Sequence, residues 1–284
     1  MKATEHKLRG NKLFQERARE ALPLLVRQAK AEQPICYSDL AEELSMPNPR
    51  NLDHVLGYIG EALQELGERW KCTIPPIQSL VVGKYTRVPG EGFWGIVKDR
   101  KVFANSSLKQ KRLVVQQMLQ EIYHFDQWDE VLREYGLRPL KNQWTRIPRE
   151  VFRSRYGGSG ESEEHKRLKE YISRSPLVLG LNLTLGKGEI EHEFPSADAV
   201  DVLFIRGQKW IGIEVKAKNS PLEDIARGIY QCVKYRALIE AQQMVEQKRP
   251  NAEVYLALGA KFPKDLIGLR NTLGINVIDN ITVR

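Results

Sequence analysis

The 284-residue sequence has few cysteines and no closely spaced cysteine pair. Its three cysteines, Cys36, Cys72 and Cys232, are odd in number and far apart, which disfavours a disulfide framework or a zinc ribbon and predicts a reducing, cytoplasmic compartment. No apolar run approaches the roughly 20 residues that a membrane helix needs, so neither a spanning segment nor a membrane partner is expected. The sequence also lacks internal repeats and the glycine motif of a phosphate loop, so we expect no built-in ATP motor.

Charge is abundant in this sequence, and cations are in excess. The chain carries 44 Lys and Arg residues against 36 Asp and Glu residues, for a formal net charge of +8. A basic balance favours a polyanionic partner, most simply nucleic acid. The excess is spread along the chain, so charge alone is equally compatible with a merely basic soluble protein.

A prior of about 150 residues per domain suggests two domains, and the composition divides the chain into three parts. The glycine-rich stretch 156–160 is the best candidate for a flexible linker, because it separates an arginine-rich stretch from an acidic helix start. We therefore predict a winged-helix-like nucleic-acid-binding domain over 1–105, a helical connector and linker over 106–160, and an α/β domain over 161–284.

The first part is predicted to run from helices into strands. Apolar spacing and turn residues give helix 7–31, short helix 39–44, a longer helix with apolar residues from 52 to 66, and strand 77–82. This order is that of a winged helix-turn-helix, which places its second helix in the major groove of DNA. Arg50, Asn51 and His54 lie near the start of that helix and are the predicted nucleic-acid-binding residues. The alternative is a helical packing module that does not touch nucleic acid.

Residues 34–95 also resemble the C-terminal domain of the alkylguanine alkyltransferases. The resemblance rests on the stretch 35–41 (Ile-Cys-Tyr-Ser-Asp-Leu-Ala), on 74–77 (Ile-Pro-Pro-Ile) and on the glycine-rich loop 89–95. That family carries a nucleophilic cysteine in a Pro-Cys-His-Arg motif, whereas the matching stretch here reads Pro-Ile-Gln-Ser at 76–79. The resemblance therefore implies a DNA-binding fold without alkyl transfer.

The third part is predicted to be an α/β domain in which helices flank a mixed sheet. The pattern gives a first helix that contains Leu168, and the further elements are strands 177–183, 200–205 and 210–215, helix 222–246, strand 252–258, helix 263–273 and strand 275–278. The polar loop 206–209, which contains a glycine, predicts a hairpin between the second and third strands.

The predicted hairpin brings two acids together. With 206–209 as the loop, antiparallel pairing puts Asp201 directly opposite Glu214. Opposed side chains have Cβ atoms about 5 Å apart, so the carboxylates repel each other unless a divalent cation, a lysine or a proton compensates. Lys216 lies two residues after Glu214 and is expected on the same face, while the alternating apolar residues of that strand take the other face.

An Asp, a Glu and a Lys on one face suit metal-dependent phosphodiester hydrolysis. Mg²⁺ prefers hard oxygen ligands and is usually held by one or two carboxylates together with phosphate. The metal polarises the phosphate and lowers the pKa of a water molecule. A nearby lysine can orient that water and stabilise the charge that develops.

On these residues the domain resembles the PD-(D/E)xK, or restriction-endonuclease-like, nuclease superfamily. The match consists of Asp201 followed by Glu214-Val215-Lys216 on the adjacent predicted strand. The resemblance implies that Asp201, Glu214 and the carbonyl of Val215 bind Mg²⁺, with Mn²⁺ as a substitute. It also implies that Lys216 acts on the attacking water.

Further motifs of the superfamily have candidates in this sequence. RecB-type members carry Gln-x-x-x-Tyr on the next helix, and Gln231 and Tyr235 match it on one helix face. The resemblance implies that these side chains support the catalytic lysine or touch nucleic acid. For the acid that the family often has on its first helix, the candidate is Glu164, with Glu161 behind it. Asp198 is an alternative to Asp201 as the aspartate of the motif, but the hairpin register puts Asp198 beyond Glu214.

The sequence therefore predicts a Mg²⁺-dependent deoxyribonuclease that acts in restriction, phage defence or repair. The expected partner is double-stranded DNA in preference to RNA, and a protein partner or a homodimer stays open. The rival is a non-catalytic DNA-binding or assembly protein with a degenerate nuclease fold. A third interpretation is a scaffold in which the hairpin carboxylates pair with Lys216 and bind no metal.

Overall fold

A computed structural model describes residues 8–92, 100–140, 162–180 and 186–283. The chain divides into two compact units, Met1–Asn142 and Gln143–Arg284. No helix in the described ranges combines the length and the apolarity needed to cross a bilayer. The predicted linker 156–160 and the candidate Glu161 lie outside the described residues.

The first unit is built mainly from helices. In chain order its elements are α1 (Leu13–Lys30), β1 (Ile35–Cys36), α2 (Tyr37–Glu43), α3 (Leu52–Trp70), β2 (Val81–Val82), α4 (Arg100–Asn105), α5 (Leu108–Tyr123) and α6 (Trp128–Glu134). The apolar faces of α1 and α3 meet in one core, in which Leu25 and Ile59 are fully buried. Residues 108–134, which the sequence analysis assigned to a connector, contribute Ile122, Trp128 and Leu132 to the same core.

The order of a helix, a short helix, a turn and a longer helix agrees with the prediction, but the strand over 77–82 is mostly wrong. A 3₁₀ helix covers Ile77–Leu80, where both the backbone N–H and the hydroxyl of Ser79 donate to the carbonyl of Pro76. Only Val81–Val82 forms a strand, and it pairs in parallel with Ile35–Cys36. The described part of this unit therefore holds no antiparallel wing, and the winged-helix assignment stays a prediction based on helix order.

The second unit is a five-stranded mixed sheet with helices on both faces. The strands lie side by side in chain order as β3 (Glu189–Glu193), β4 (Ala199–Arg206), β5 (Lys209–Lys216), β6 (Ala252–Leu258) and β7 (Asn276–Ile278). The first two pairings are antiparallel and the last two are parallel. Helix α7 (Glu163–Arg174) covers one face, while α8 (Leu222–Val245) and α9 (Ile267–Leu273) cover the other. The predicted α/β class with a mixed sheet is thus confirmed at this level.

Two details of the predicted sheet are wrong. The segment Pro176–Leu179 forms a 3₁₀ helix that ends at Gly180, whose φ of +64° is a left-handed conformation, rather than the start of a strand. Strand β3 was missed, because Glu189–Glu193 is an edge strand in which charged residues alternate with half-buried ones. Such a composition carries little of the apolar signal by which strands are predicted.

Candidate active site

The β4–β5 hairpin has the predicted register. Pairing runs from Arg206–Lys209 to Val202–Ile213, so the loop is only the two residues 207–208 rather than four. β5 is the central strand of the sheet, and both of its faces are covered by helices. The predicted separation of faces is also confirmed, since the alternating apolar residues of β5 pack on the α7 side: Ile211, Ile213 and Val215.

Asp201 lies where the β4–β5 ladder ends. The last paired residues are Val202 and Ile213, one position before Asp201 would meet Glu214. There the backbone N–H of Val215 donates to Oδ2 of Asp201 at 2.7 Å. Beyond the last backbone pair, the Asp201 side chain therefore accepts a hydrogen bond that connects the two strands.

Glu214 and Lys216 lie on the α8 side of β5 and are buried, with exposures of 3% and 7%. The Lys216 Nζ lies 2.9 Å from Oε1 of Glu214. Burial and the charge of Asp201 raise the pKa of Glu214 to about 7, against the opposing effect of Lys216. Burial lowers the pKa of Lys216, but Glu214 and Asp224 outweigh it, so the net shift is upward and the ammonium stays charged.

Helix α8 supplies the remaining partners of the lysine. The Lys216 ammonium donates to Gln231 Oε1 at 3.4 Å and to Asp224 Oδ1 at 3.3 Å, and the Gln231 amide donates to the Tyr235 hydroxyl at 3.3 Å. The structure therefore brings Gln231 and Tyr235 together with Lys216. Asp224 was not predicted. Burial raises its pKa, but the charges of Lys216 and Arg227 outweigh burial and lower it.

Gly228 lets α8 lie close to β5 at this cluster. A Cβ atom at Gly228 would lie 2.9 Å from Cε of Lys216 and 2.9 Å from Cδ1 of Leu256. Glycine inside a helix costs about 1 kcal/mol relative to alanine, and here the close approach explains its presence. A glycine in an otherwise regular helical pattern was the sequence signal that could have revealed this contact.

The first helix of the unit contributes His165, whereas the predicted Glu164 is exposed and is not brought into the cluster. The Nε2 atom of His165 lies 2.9 Å from the carbonyl oxygen of Val215 and 3.4 Å from Oδ2 of Asp201. His165 was missed because the histidines were examined only for zinc spacing. Its spacing from the buried residues at 168 and 172 puts it on the sheet-facing side of α7, and that pattern could have found it.

The other predicted residues lie apart from the cluster. Asp198 forms an ion pair with Lys234 and accepts a hydrogen bond from Ser196, so its carboxylate is engaged elsewhere. The predicted nucleic-acid-binding residues belong to the first unit and are exposed at the start of α3: Arg50, Asn51 and His54. Helix α3 carries four carboxylates against one arginine, which gives the helix predicted to enter a DNA groove a negative charge.

The donor set of the cluster is compatible with a hard divalent cation such as Mg²⁺ or Mn²⁺. Asp201 and Glu214 offer carboxylate oxygens, and Val215 offers a main-chain carbonyl. Repulsion from Asp201 contributes to the raised pKa of Glu214, and a cation would relieve that repulsion. In the part of the chain that the structure describes, no group of three or more His, Cys, Asp or Glu side chains is arranged to hold a metal ion. The fit therefore rests on two carboxylates and one carbonyl.

No protein-family model, curated protein or solved structure matches the chain. The geometry of the cluster is therefore the basis for a functional proposal. That cluster unites four elements, since β4 provides Asp201, β5 provides Glu214 and Lys216, α7 provides His165 and α8 provides Gln231. In chemical terms it joins two repelling carboxylates to a buried, fixed ammonium group at the end of a strand ladder.

Proposed function

We propose that the second unit is a metal-dependent nuclease of the PD-(D/E)xK type, which hydrolyses phosphodiester bonds in DNA in preference to RNA. The observation that carries the proposal is the buried Lys216 ammonium, held by Glu214 and Gln231 beside Asp201. Buried ion pairs are a weak source of stability, and perturbed titratable groups concentrate at functional sites. The net charge of +8 supports a polyanionic substrate.

The metal ligands in this proposal are Asp201, Glu214 and the Val215 carbonyl, which would hold Mg²⁺ or Mn²⁺. His165 positions two of these ligands in the proposal, because its Nε2 lies 2.9 Å from the Val215 carbonyl oxygen and 3.4 Å from Oδ2 of Asp201. When bound, the cation polarises the phosphate and lowers the pKa of a water molecule.

The lysine has a separate role from the metal ligands. Lys216 orients the attacking water and stabilises the negative charge that develops on the phosphate. Gln231 and Asp224 fix the position of its ammonium group, and the Tyr235 hydroxyl accepts the hydrogen bond that orients Gln231. Such an activity would fit restriction, phage defence or repair. These settings are associated with the proposed family and do not follow from the geometry of the site.

A second candidate is a non-catalytic DNA-binding or assembly protein with a degenerate nuclease fold. It is favoured by the fact that both carboxylates have protein partners, because Glu214 pairs with Lys216 and Asp201 accepts from the N–H of Val215. In this function the cluster only stabilises the hairpin, and the second unit binds the nucleic-acid backbone without cleaving it. The scaffold interpretation shares that observation but expects no nucleic acid.

The test is cleavage of labelled linear, circular and single-stranded DNA and of RNA, each with Mg²⁺, Mn²⁺ or EDTA. We expect metal-dependent cleavage of DNA that falls about 10²- to 10⁴-fold in Lys216→Ala. Asp201→Asn should be equally inactive, whereas Asp198→Asn is the matched control and should retain activity. Salt-sensitive binding without cleavage under every condition would favour the second candidate, and neither binding nor cleavage would favour the scaffold.

A further inference from the structure

One surface of the first unit is strongly basic. Over 83–92 and 101–113 the sequence carries six cations against the single carboxylate of Glu91. These six cations define what we call the basic surface: Lys84, Arg87, Lys101, Lys109, Lys111 and Arg112. Elsewhere in the same unit, α3 has the opposite balance, with four carboxylates and one arginine.

Packing holds the segments of the basic surface together. Val88, Phe103 and Val115 form one buried cluster that joins the turn after β2 to α4 and α5. The Arg112 guanidinium donates to the main-chain carbonyls of residues 85 and 86, at 3.0 Å and 2.8 Å. The Lys111 ammonium donates to the carbonyl of Ala104 at 2.9 Å. The cations are therefore parts of one local structure rather than neighbours in sequence only.

The basic surface also presents an aromatic ring and a groove. The side chain of Tyr85 is 85% exposed, although its carbonyl is fixed by Arg112. Between α4 and the start of α5 lies an open groove of about 430 Å³, lined by Lys101, Val102, Asn105, Ser106 and Gln110. An exposed aromatic ring beside cations is the combination with which proteins hold single-stranded nucleic acid.

The helix dipole does not favour the cations of α5. Lys109, Lys111 and Arg112 lie in the first five residues of α5, where cations oppose the helix dipole. Exposed cations attract phosphates and displace their counterions. The charge distribution thus favours the basic surface over the start of α3 as the place where nucleic acid binds.

We propose that the basic surface binds the phosphate backbone of a nucleic acid that contains a single-stranded segment, with the Tyr85 ring stacked on an unpaired base. The interaction needs no metal ion. It therefore stands independently of the nuclease activity proposed for the second unit, and it can be measured in EDTA.

The first test measures the binding of fluorescent single-stranded and duplex oligonucleotides to the full chain by anisotropy in EDTA at several salt concentrations. Lys84→Ala/Lys101→Ala/Lys109→Ala should weaken single-strand binding about tenfold or more and reduce the salt slope by about two. The control Arg9→Ala/Arg50→Ala/Arg138→Ala removes three exposed cations, including one at the start of α3, and should change affinity less than about twofold. Thermal melting checks that each variant is folded.

The second test addresses the ring. Tyr85→Ala should weaken single-strand binding about five- to hundredfold and leave duplex binding unchanged, whereas Tyr85→Phe should bind as the parent does. Equal losses in the two triple variants, a loss confined to the control, or no effect of Tyr85→Ala would each overturn the proposal. So would a parent protein that binds neither oligonucleotide.

Discussion

The two units differ in what they bury. Among the described residues, the first unit buries only uncharged polar side chains, whereas the second unit buries four charged ones: Lys169, Glu214, Lys216 and Arg270. Burying a charge costs several kcal/mol unless partners compensate. Apolar packing therefore accounts for the interior of the first unit, whereas the interior of the second unit holds charges that need compensating partners.

Two of the four buried charges have a structural explanation. Lys169 reaches Oε1 of Glu191 at 2.6 Å, on an exposed part of β3. Arg270 donates to the Asn271 side-chain oxygen and lies over the ring of Phe262. Glu214 and Lys216 instead pair with each other beside Asp201 and His165. The comparison thus makes this pair the best candidate for a functional role.

We expect the greatest loss of stability from breaking a buried ion pair, and a much smaller loss from breaking an exposed one. Lys216→Met leaves Glu214 buried without its cation and should lower the free energy of unfolding by about 3–5 kcal/mol. Lys30→Met breaks a pair with Asp129 in the first unit, where both side chains are more than 40% exposed, and should cost at most about 1 kcal/mol. Urea unfolding in EDTA at pH 8 measures both, and equal costs would refute the distinction between the units.

The next prediction concerns metal affinity and distinguishes His165 from Glu164, the two candidate residues of α7. His165→Ala should weaken Mn²⁺ binding about tenfold or more, because Nε2 lies against two of the proposed ligands. Glu164→Ala, the matched control, changes an exposed neighbour and should leave the affinity unchanged. Calorimetric titration with Mn²⁺ measures both variants. A loss in Glu164→Ala alone would restore the original sequence prediction.

A smaller effect compares glycines in the helices of the two units. Gly57→Ala on α3 meets no atom within 4 Å and should stabilise the first unit by about 0.5–1 kcal/mol. Gly228→Ala gains the same helix propensity but drives a methyl group against Lys216 and Leu256, so it should lose both stability and cleavage. Urea unfolding and the DNA cleavage assay measure the pair. Full activity in Gly228→Ala would contradict the close approach described for α8.

The last effect is the pH dependence of metal binding. The pKa of Glu214 is raised to about 7, so below that pH a proton occupies the carboxylate and competes with the cation. Mn²⁺ affinity should therefore rise between pH 6 and pH 8, by about tenfold. Glu214→Gln, which cannot lose a proton there, should show a weak affinity without this rise. Thermal shifts with and without Mn²⁺ at each pH provide the measurement. A pH-independent shift in the parent would show that protonation of Glu214 does not compete with the metal.

The hairpin and the Gln231–Tyr235 pair could be predicted because their signals are local. Alternation of apolar and polar residues fixes the faces of β5, and the short polar loop fixes the register, so Asp201 and Glu214 follow. The resemblance to RecB-type nucleases singled out Gln231 and Tyr235, and their four-residue spacing puts them on one helix face. Each of these inferences needs only the geometry of a single element or of two elements joined by a turn.

What could not be predicted depends on tertiary contacts. The role of His165 rests on a carbonyl 50 residues away, and that of Asp224 rests on how α8 lies across β5. Glu164 was chosen for its charge, but its neighbour is the residue that faces the sheet. Strand β3 pairs through its backbone at the sheet edge, where its side-chain pattern carries no clear apolar alternation.

The metal site proposed at Asp201, Glu214 and Val215 is tested most directly by anomalous scattering from crystals of the full chain soaked in Mn²⁺. We expect a peak within coordination distance of the Asp201 and Glu214 carboxylates and the Val215 carbonyl, and no such peak in Asp201→Asn crystals. If parent crystals at high Mn²⁺ show no peak there and the Lys216–Glu214 pair is intact, this cluster is not a metal site.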